Sequence, residues 1–150
     1  MIARTPIILA VAVLLSLPGC TLFGDCSYEE LGRVRSPDGV VDAVWIRGNC
    51  GATTAYSLHL FVVPAKTPFS GATGQFDLKF SQLNADHVSG VRVEWVEPQL
   101  LSIGYNEARI FHFSNFWSAR EIHDFRYVVE LRLDPQTHAF SVPYADRHWQ

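Results

Sequence analysis

Residues 36–64, SPDGVVDAVWIRGNCGATTAYSLHLFVVP, constrain the fold more than any other stretch. They open on Ser36-Pro37-Asp38-Gly39. Pro presets φ, Asp can bond its own backbone and Gly accepts positive φ, so a tight turn is expected there. Val40–Arg47 follows with apolar side chains on both faces. Val41, Ala43 and Trp45 share one face, Val40, Val44 and Ile46 the other, and Asp42 is the exception. A strand that is apolar on both faces belongs in the middle of a sheet. Gly48–Thr54 (GNCGATT) is small, polar and turn-forming. Tyr56–Val63 is the next strand, with Tyr56, Leu58, Leu60 and Val62 on one face and Ser57, His59, Phe61 and Val63 opposite. Pro64 ends it.

The rest of the chain extends that pair. Ser27–Arg33 fits one helical turn, with Ser27 as N-cap and Glu30 in the position of a capping-box acid. Lys66–Gln75 holds Pro68, Gly71 and Gly74 and reads as a loop. Phe76–Phe80 alternates apolar and charged residues, as a short edge strand does, and Ser81–His87 fits either a short helix or a loop. Val91–Val96, Leu100–Ile103 and Ala108–Phe113 are separated by short joints, which predicts an antiparallel meander. Asn115–Ile122 reads as a connection or one helical turn, Arg126–Leu133 as the last clear strand, and Phe140–Tyr144 as a short addition. The fold class is therefore mainly β. It is an antiparallel sheet or small sandwich with one or two short helical turns, preceded by an N-terminal signal helix. Four Trp and ten Phe are enough large rings to fill its core.

The N-terminus carries a different signal. Arg4 is followed by the apolar run Ile7–Leu15 and then by Leu17-Pro18-Gly19-Cys20. The run is too short to span a bilayer comfortably and has the grammar of an export signal. Leu17-Pro18-Gly19-Cys20 resembles the lipobox of bacterial lipoproteins. The resemblance implies cleavage before Cys20, acylation of its thiol and new amine, and a membrane anchor without a spanning helix. Thr21, where an Asp would favour inner-membrane retention, implies the outer membrane in a Gram-negative host, on its periplasmic side or surface. The organisation expected is a signal peptide over 1–19, a lipidated tether and N-terminal segment over 20–35, and one β-rich domain over 36–150.

Removing residues 1–19 takes away Arg4 alone, leaving eleven basic against fifteen acidic side chains and a net charge of about −4. That balance argues against nucleic acid or a polybasic membrane surface as partner. With Cys20 committed to lipid, Cys26 and Cys50 remain. An even number of thiols in an oxidising compartment predicts a disulfide. It would stabilise by roughly 3–4 kcal/mol in the chain-entropy picture.

Catalytic grammar is sparse. The six His (59, 87, 112, 123, 138 and 148) show no zinc spacing with Cys or carboxylates, and Gly-x-Ser-x-Gly is absent. No metal, cofactor or catalytic residue is expected. The sharpest candidate is a set of rings and arginines, Arg109, Phe113, Phe116, Trp117 and Arg120, with Phe111 among them. Such residues anchor protein interfaces, and they also build core corners. The segments Ser36–Gly39, Cys50–Thr54, Phe61–Pro64, Ala108–Phe111 and Asn115–Trp117 are similar to a group of small exported bacterial proteins of unknown function. That resemblance implies a shared fold and transfers no activity. The leading expectation is a non-enzymatic binding or structural module of the cell envelope, lipid-anchored, with an envelope protein or glycan as partner. Two rivals are a cell-envelope hydrolase using His112 or His123 with a carboxylate, and an immunity or exclusion protein.

Overall fold

The computed structural model describes residues 26–136. The expected signal segment, Cys20 and the expected strand Phe140–Tyr144 lie outside the described residues. Within them the chain is mainly β, as its alternation predicts. The strands are β1 (Ser27–Arg35), β2 (Val41–Asn49), β3 (Ser57–Pro64), β4 (Leu83–Ser89), β5 (Arg92–Glu97), β6 (Leu100–Tyr105), β7 (Glu107–Phe113), β8 (Phe116–Ser118) and β9 (Val128–Pro135). They form two sheets, in the orders β1-β2-β3-β4-β7 and β5-β6-β9-β8. All neighbours are antiparallel except β6 and β9.

The sheets pack face to face. Val41, Ala43, Leu58, Leu60, Val62, Leu83 and Ala85 from the first meet Val93, Leu101, Ile103, Tyr127, Val129 and Leu131 from the second in one core. The Trp95 indole N–H also crosses the gap, donating to Val34 O at 3.2 Å. The two-faced pattern of β2 and β3 has a second cause. Val44, Ile46, Phe61 and Val63 point away from the other sheet and are covered by Phe76, with Phe69 and Leu78 packed alongside. Phe76 meets Phe61 and Phe69 edge-on, with ring centroids 5.5 and 5.2 Å apart. The 65–82 segment is thus a lid over the outer face of the first sheet.

Five expectations need correction. Asn115–Ile122, expected as a connection or one helical turn, holds strand β8, which pairs with β9. Ser27–Arg33 is strand, not helix. Arg33 and Arg35 share a face only when extended, and together they reach the buried Asp42 across β2. Gly32 also lies under the Trp45 ring, where a Cβ would come within 2.2 Å of it. These tertiary contacts outweigh a local capping signal. Phe76–Phe80 forms parts of two 3-10 turns, Gly74–Phe76 and Leu78–Phe80, because the Asp77 carboxylate accepts the Lys79 N–H at 3.2 Å. Ser81–His87, expected as helix or loop, contributes most of β4. Its Leu83 and Ala85 face the core, while its polar side chains face outward.

The expected meander is only half present. β5 and β6 pair, but β7 returns to the first sheet beside β4. The joint Gly104–Glu107 is a corner between sheets. Asn106 N–H bonds to Ser89 O at 2.9 Å, and the Asn106 side chain lies over Gly90, which has φ 65°. A short joint dictates antiparallel pairing only when both strands stay in one sheet. Because the chain then runs through β7 and β8 before β9, β9 can enter parallel to β6.

The expected disulfide is present. Cys26 and Cys50, 24 residues apart, are joined at the open end of the β1–β2 hairpin, next to the Ser27↔Asn49 pair. At the other end Ser36–Gly39 closes the hairpin, with Gly39 N–H bonded to Ser36 O at 2.8 Å and Gly39 at φ 75°.

Candidate functional site

The turn end of the hairpin is organised by two carboxylates. Asp42 is fully buried. Its oxygens accept Arg33 Nη1 at 3.0 Å, Arg35 Nε at 2.9 Å and the Lys66 N–H at 2.8 Å. Burial works against its charge, but these partners win and hold its pKa below the usual carboxylate value. Asp38, in the turn itself, accepts Ser36 Oγ at 2.6 Å and the Val40 N–H at 3.2 Å. Tyr127, buried on the way into β9, places its hydroxyl 2.7 Å from Asp38 Oδ2 and 3.1 Å from Pro98 O. Burial and then the Asp38 charge push the Tyr127 pKa up to about 12. Turns from both sheets are tied at this one phenol.

Beside that end lies a groove of about 580 Å³. One wall is Val62–Pro64 of β3, and the opposite wall is Phe116–Arg120 with Phe125. The groove exists because the β3–β4 ladder stops at Leu60↔Leu83. Beyond it a single side chain stands in for a strand. Gln82 Oε1 accepts the Val62 N–H at 2.7 Å, and Gln82 Nε2 donates to Phe80 O at 2.6 Å. The Gln82 backbone bonds Leu60 O and Ser114 N–H, both at 2.8 Å. Gln82 therefore joins three segments at the base of the site.

The groove rim is aromatic and exposed: Phe80, Phe116 and Phe125 show 54%, 60% and 55% of their surface to solvent. Lys79 stands 4.9 Å over the Phe80 ring and pairs with Asp77 at 3.0 Å. Arg120 is open, with Asp124 at 3.9 Å. Phe125 reaches the rim by an unusual backbone. His123, Asp124 and Phe125 have φ of 49°, 52° and 64°, three consecutive non-glycine residues in the left-handed region. Such conformations cost roughly 1–2 kcal/mol each. Here Phe125 N–H bonds Ala119 O at 3.2 Å and Asp124 N–H bonds Arg120 O at 3.1 Å.

The structure divides the sequence-predicted patch. Phe116, Trp117 and Arg120 line the groove together. Phe113 packs on the inter-sheet core, opposite Leu83. Arg109 lies elsewhere, its Nε 2.7 Å from Asp86 Oδ1 and its guanidinium 5.1 Å from the Phe111 ring centre. Asp86 is also approached by His87 Nδ1 at 3.0 Å, and Arg109, then His87, hold its pKa far below normal. Phe80, Gln82 and Phe125 were not singled out by the sequence. Phe80 had an alternation signal that suggested a strand, and the left-handed turn before Phe125 has no sequence signature.

Among the described histidines only His87 meets a carboxylate, Asp86, which Arg109 also holds. His112 lines the groove, and His123 faces Tyr127 edge-on at 6.2 Å. Neither pairs with a carboxylate among the described residues. His59 is buried, with Nε2 3.1 Å from Ser57 Oγ. Its Nδ1 has no partner, and burial lowers its pKa, so this Ser–His pair lacks the orienting acid that nucleophilic catalysis uses. Among the described residues no cluster of His, Cys, Asp and Glu has the makings of a metal site.

The chain is thus a two-sheet β-sandwich with an aromatic-rimmed groove at one end. No protein-family model, no curated protein and no solved structure matches it.

Proposed function

We propose that this chain is an envelope lipoprotein, acylated at Cys20, that binds a protein partner in the groove between Val62–Pro64 and Phe116–Arg120. The observation that carries the binding reading is the rim. Three Phe rings stand in solvent beside Trp117 and Arg120, and one of them is held there on a strained turn. Exposed rings at a concave site are the residues that anchor partners, and backbone strain persists where surrounding structure enforces it. The anchor reading is supported by Leu17-Pro18-Gly19-Cys20 after the apolar run. The Cys26–Cys50 disulfide fits an oxidising, exported location.

The test uses the mature chain immobilised and exposed to detergent-solubilised envelope. A saturable protein partner is expected, released at least tenfold more readily from a Phe116→Ala/Phe125→Ala variant whose melting temperature is preserved. Equal retention by that variant contradicts the groove. Saturable binding of purified glycan fractions with no protein bound would move the partner class to sugar.

A further inference from the structure

The groove lies at one end of β3, and the tether enters at the other. β3 runs from Ser57, level with Gly48 and Tyr28 beside the disulfide, to Pro64 at the groove wall. At about 3.3 Å per residue that separates the two ends by roughly 20 Å. Five residues, Thr21–Asp25, join Cys20 to Cys26. Even fully extended they reach about 20 Å. The Cys26–Cys50 bond and the adjoining Ser27↔Asn49 pair fix the point where the tether meets the sheet. An acylated Cys20 would therefore keep this end of the sandwich within about 20 Å of the lipid.

The surface at that end suits such a neighbour. Tyr56 and Leu31 expose 57% and 45% of their surface. They flank a cleft of about 430 Å³ whose other walls include Leu58, Val88 and Val91. Gly51–Ala55 is exposed and uncharged. Charged side chains that border the cleft are held in pairs. Arg47 pairs with Glu29 and lies 5.0 Å from the Tyr56 ring centre, and Asp86 is neutralised by Arg109 beside His87. An apolar rim with a Tyr ring, bordered by paired charges, meets little repulsion from headgroups, and Tyr favours the headgroup level.

We infer that the disulfide end is a membrane-contacting surface, with Leu31, Tyr56 and the Gly51–Ala55 turn resting on phospholipid headgroups and the Phe116–Trp117 groove held outward. This inference rests on acylation of Cys20. The lipidated chain, reconstituted in phosphatidylethanolamine/phosphatidylglycerol vesicles, is spin-labelled at Thr53→Cys or, separately, at Arg120→Cys after the native disulfide has formed. Collision with oxygen, relative to a water-soluble nickel reagent, should be several-fold higher at position 53 than at 120. Adding Leu31→Ser and Tyr56→Ser should abolish that difference while the protein still sediments with vesicles. Equal, water-like values at both positions on sedimenting protein overturn the inference. So does shielding of position 53 that occurs only in native membranes, which would mark a protein contact. Failure of the anchor itself reads differently: the mature chain carries no acyl mass, and Cys20→Ser leaves sedimentation unchanged.

Discussion

The two ends of the β1–β2–β3 unit are held by different physics. At one end a covalent bond joins Cys26 to Cys50, and the loop beyond it is exposed. At the other, Asp42 is buried with two arginines and Asp38 is tied to Tyr127. The contrast teaches that the same hairpin has one end sensitive to redox and the other to pH. It also explains where a groove can form. The turn end has a network of side-chain hydrogen bonds, so Gln82 can replace a missing strand there without leaving the Val62 N–H unsatisfied.

Reduction or Cys26→Ser/Cys50→Ser should have the largest effect, a loss of about 3 kcal/mol in denaturant unfolding. The acid limb of the stability profile should keep its shape. A loss that itself varies strongly between pH 4 and 8 would show that the two ends are not independent.

Asp42→Asn attacks the opposite end. The acid is buried but Arg33 and Arg35 are partly exposed and can rehydrate, so the loss should be about 2–3 kcal/mol at pH 7. The sign follows from the depressed pKa of Asp42. Its stabilisation is full above the unfolded carboxyl value of about 3.9 and disappears as pH falls through the lower folded value. Asp42→Asn should therefore flatten the acid limb below about pH 4. An unchanged limb in urea titrations would remove Asp42 from the comparison.

Tyr127→Phe should cost less, about 1–2 kcal/mol, since the ring still fills the core and only the hydroxyl contacts to Asp38 and Pro98 O are lost. The raised phenol pKa makes its contribution complete below about pH 10 and lost as pH rises towards 12. Thermal melts at pH 8 and pH 11 should converge for wild type and variant at the higher pH. Persistence of the full difference at pH 11 would contradict the assignment.

Smallest in stability is Phe125→Gly. Removing a left-handed phenylalanine should leave stability unchanged or raise it by up to about 1 kcal/mol, because glycine accepts that φ. Partner binding should nevertheless fall at least tenfold. A large destabilisation would mean that the ring supports the fold.

Much of this architecture was legible in the residues. β2 and β3 were read within a few residues because apolar side chains on both faces leave little alternative to a central strand. The disulfide followed from the cysteine count once Cys20 is set aside under the expected lipobox. β4 was not legible, because Asn84 and Asp86 break the apolar pattern and are accommodated on its outer face, Asp86 by Arg109. The pairing of β7 was misread because nothing local distinguishes a hairpin joint from a corner such as Tyr105-Asn106. The groove was half legible. Phe116, Trp117 and Arg120 stood out as a cluster, while Phe80 sits in a 3-10 turn whose alternation suggests a strand and Phe125 follows a left-handed turn with no periodic signal.

The most direct measurement is site-specific photo-crosslinking in intact envelopes. A photoreactive side chain replaces Phe116 in one chain and Phe111, an equally exposed ring outside the groove, in another. A discrete protein adduct is expected from position 116 and not from position 111. No adduct at 116, or the same adduct from both positions, would contradict a partner seated in the groove.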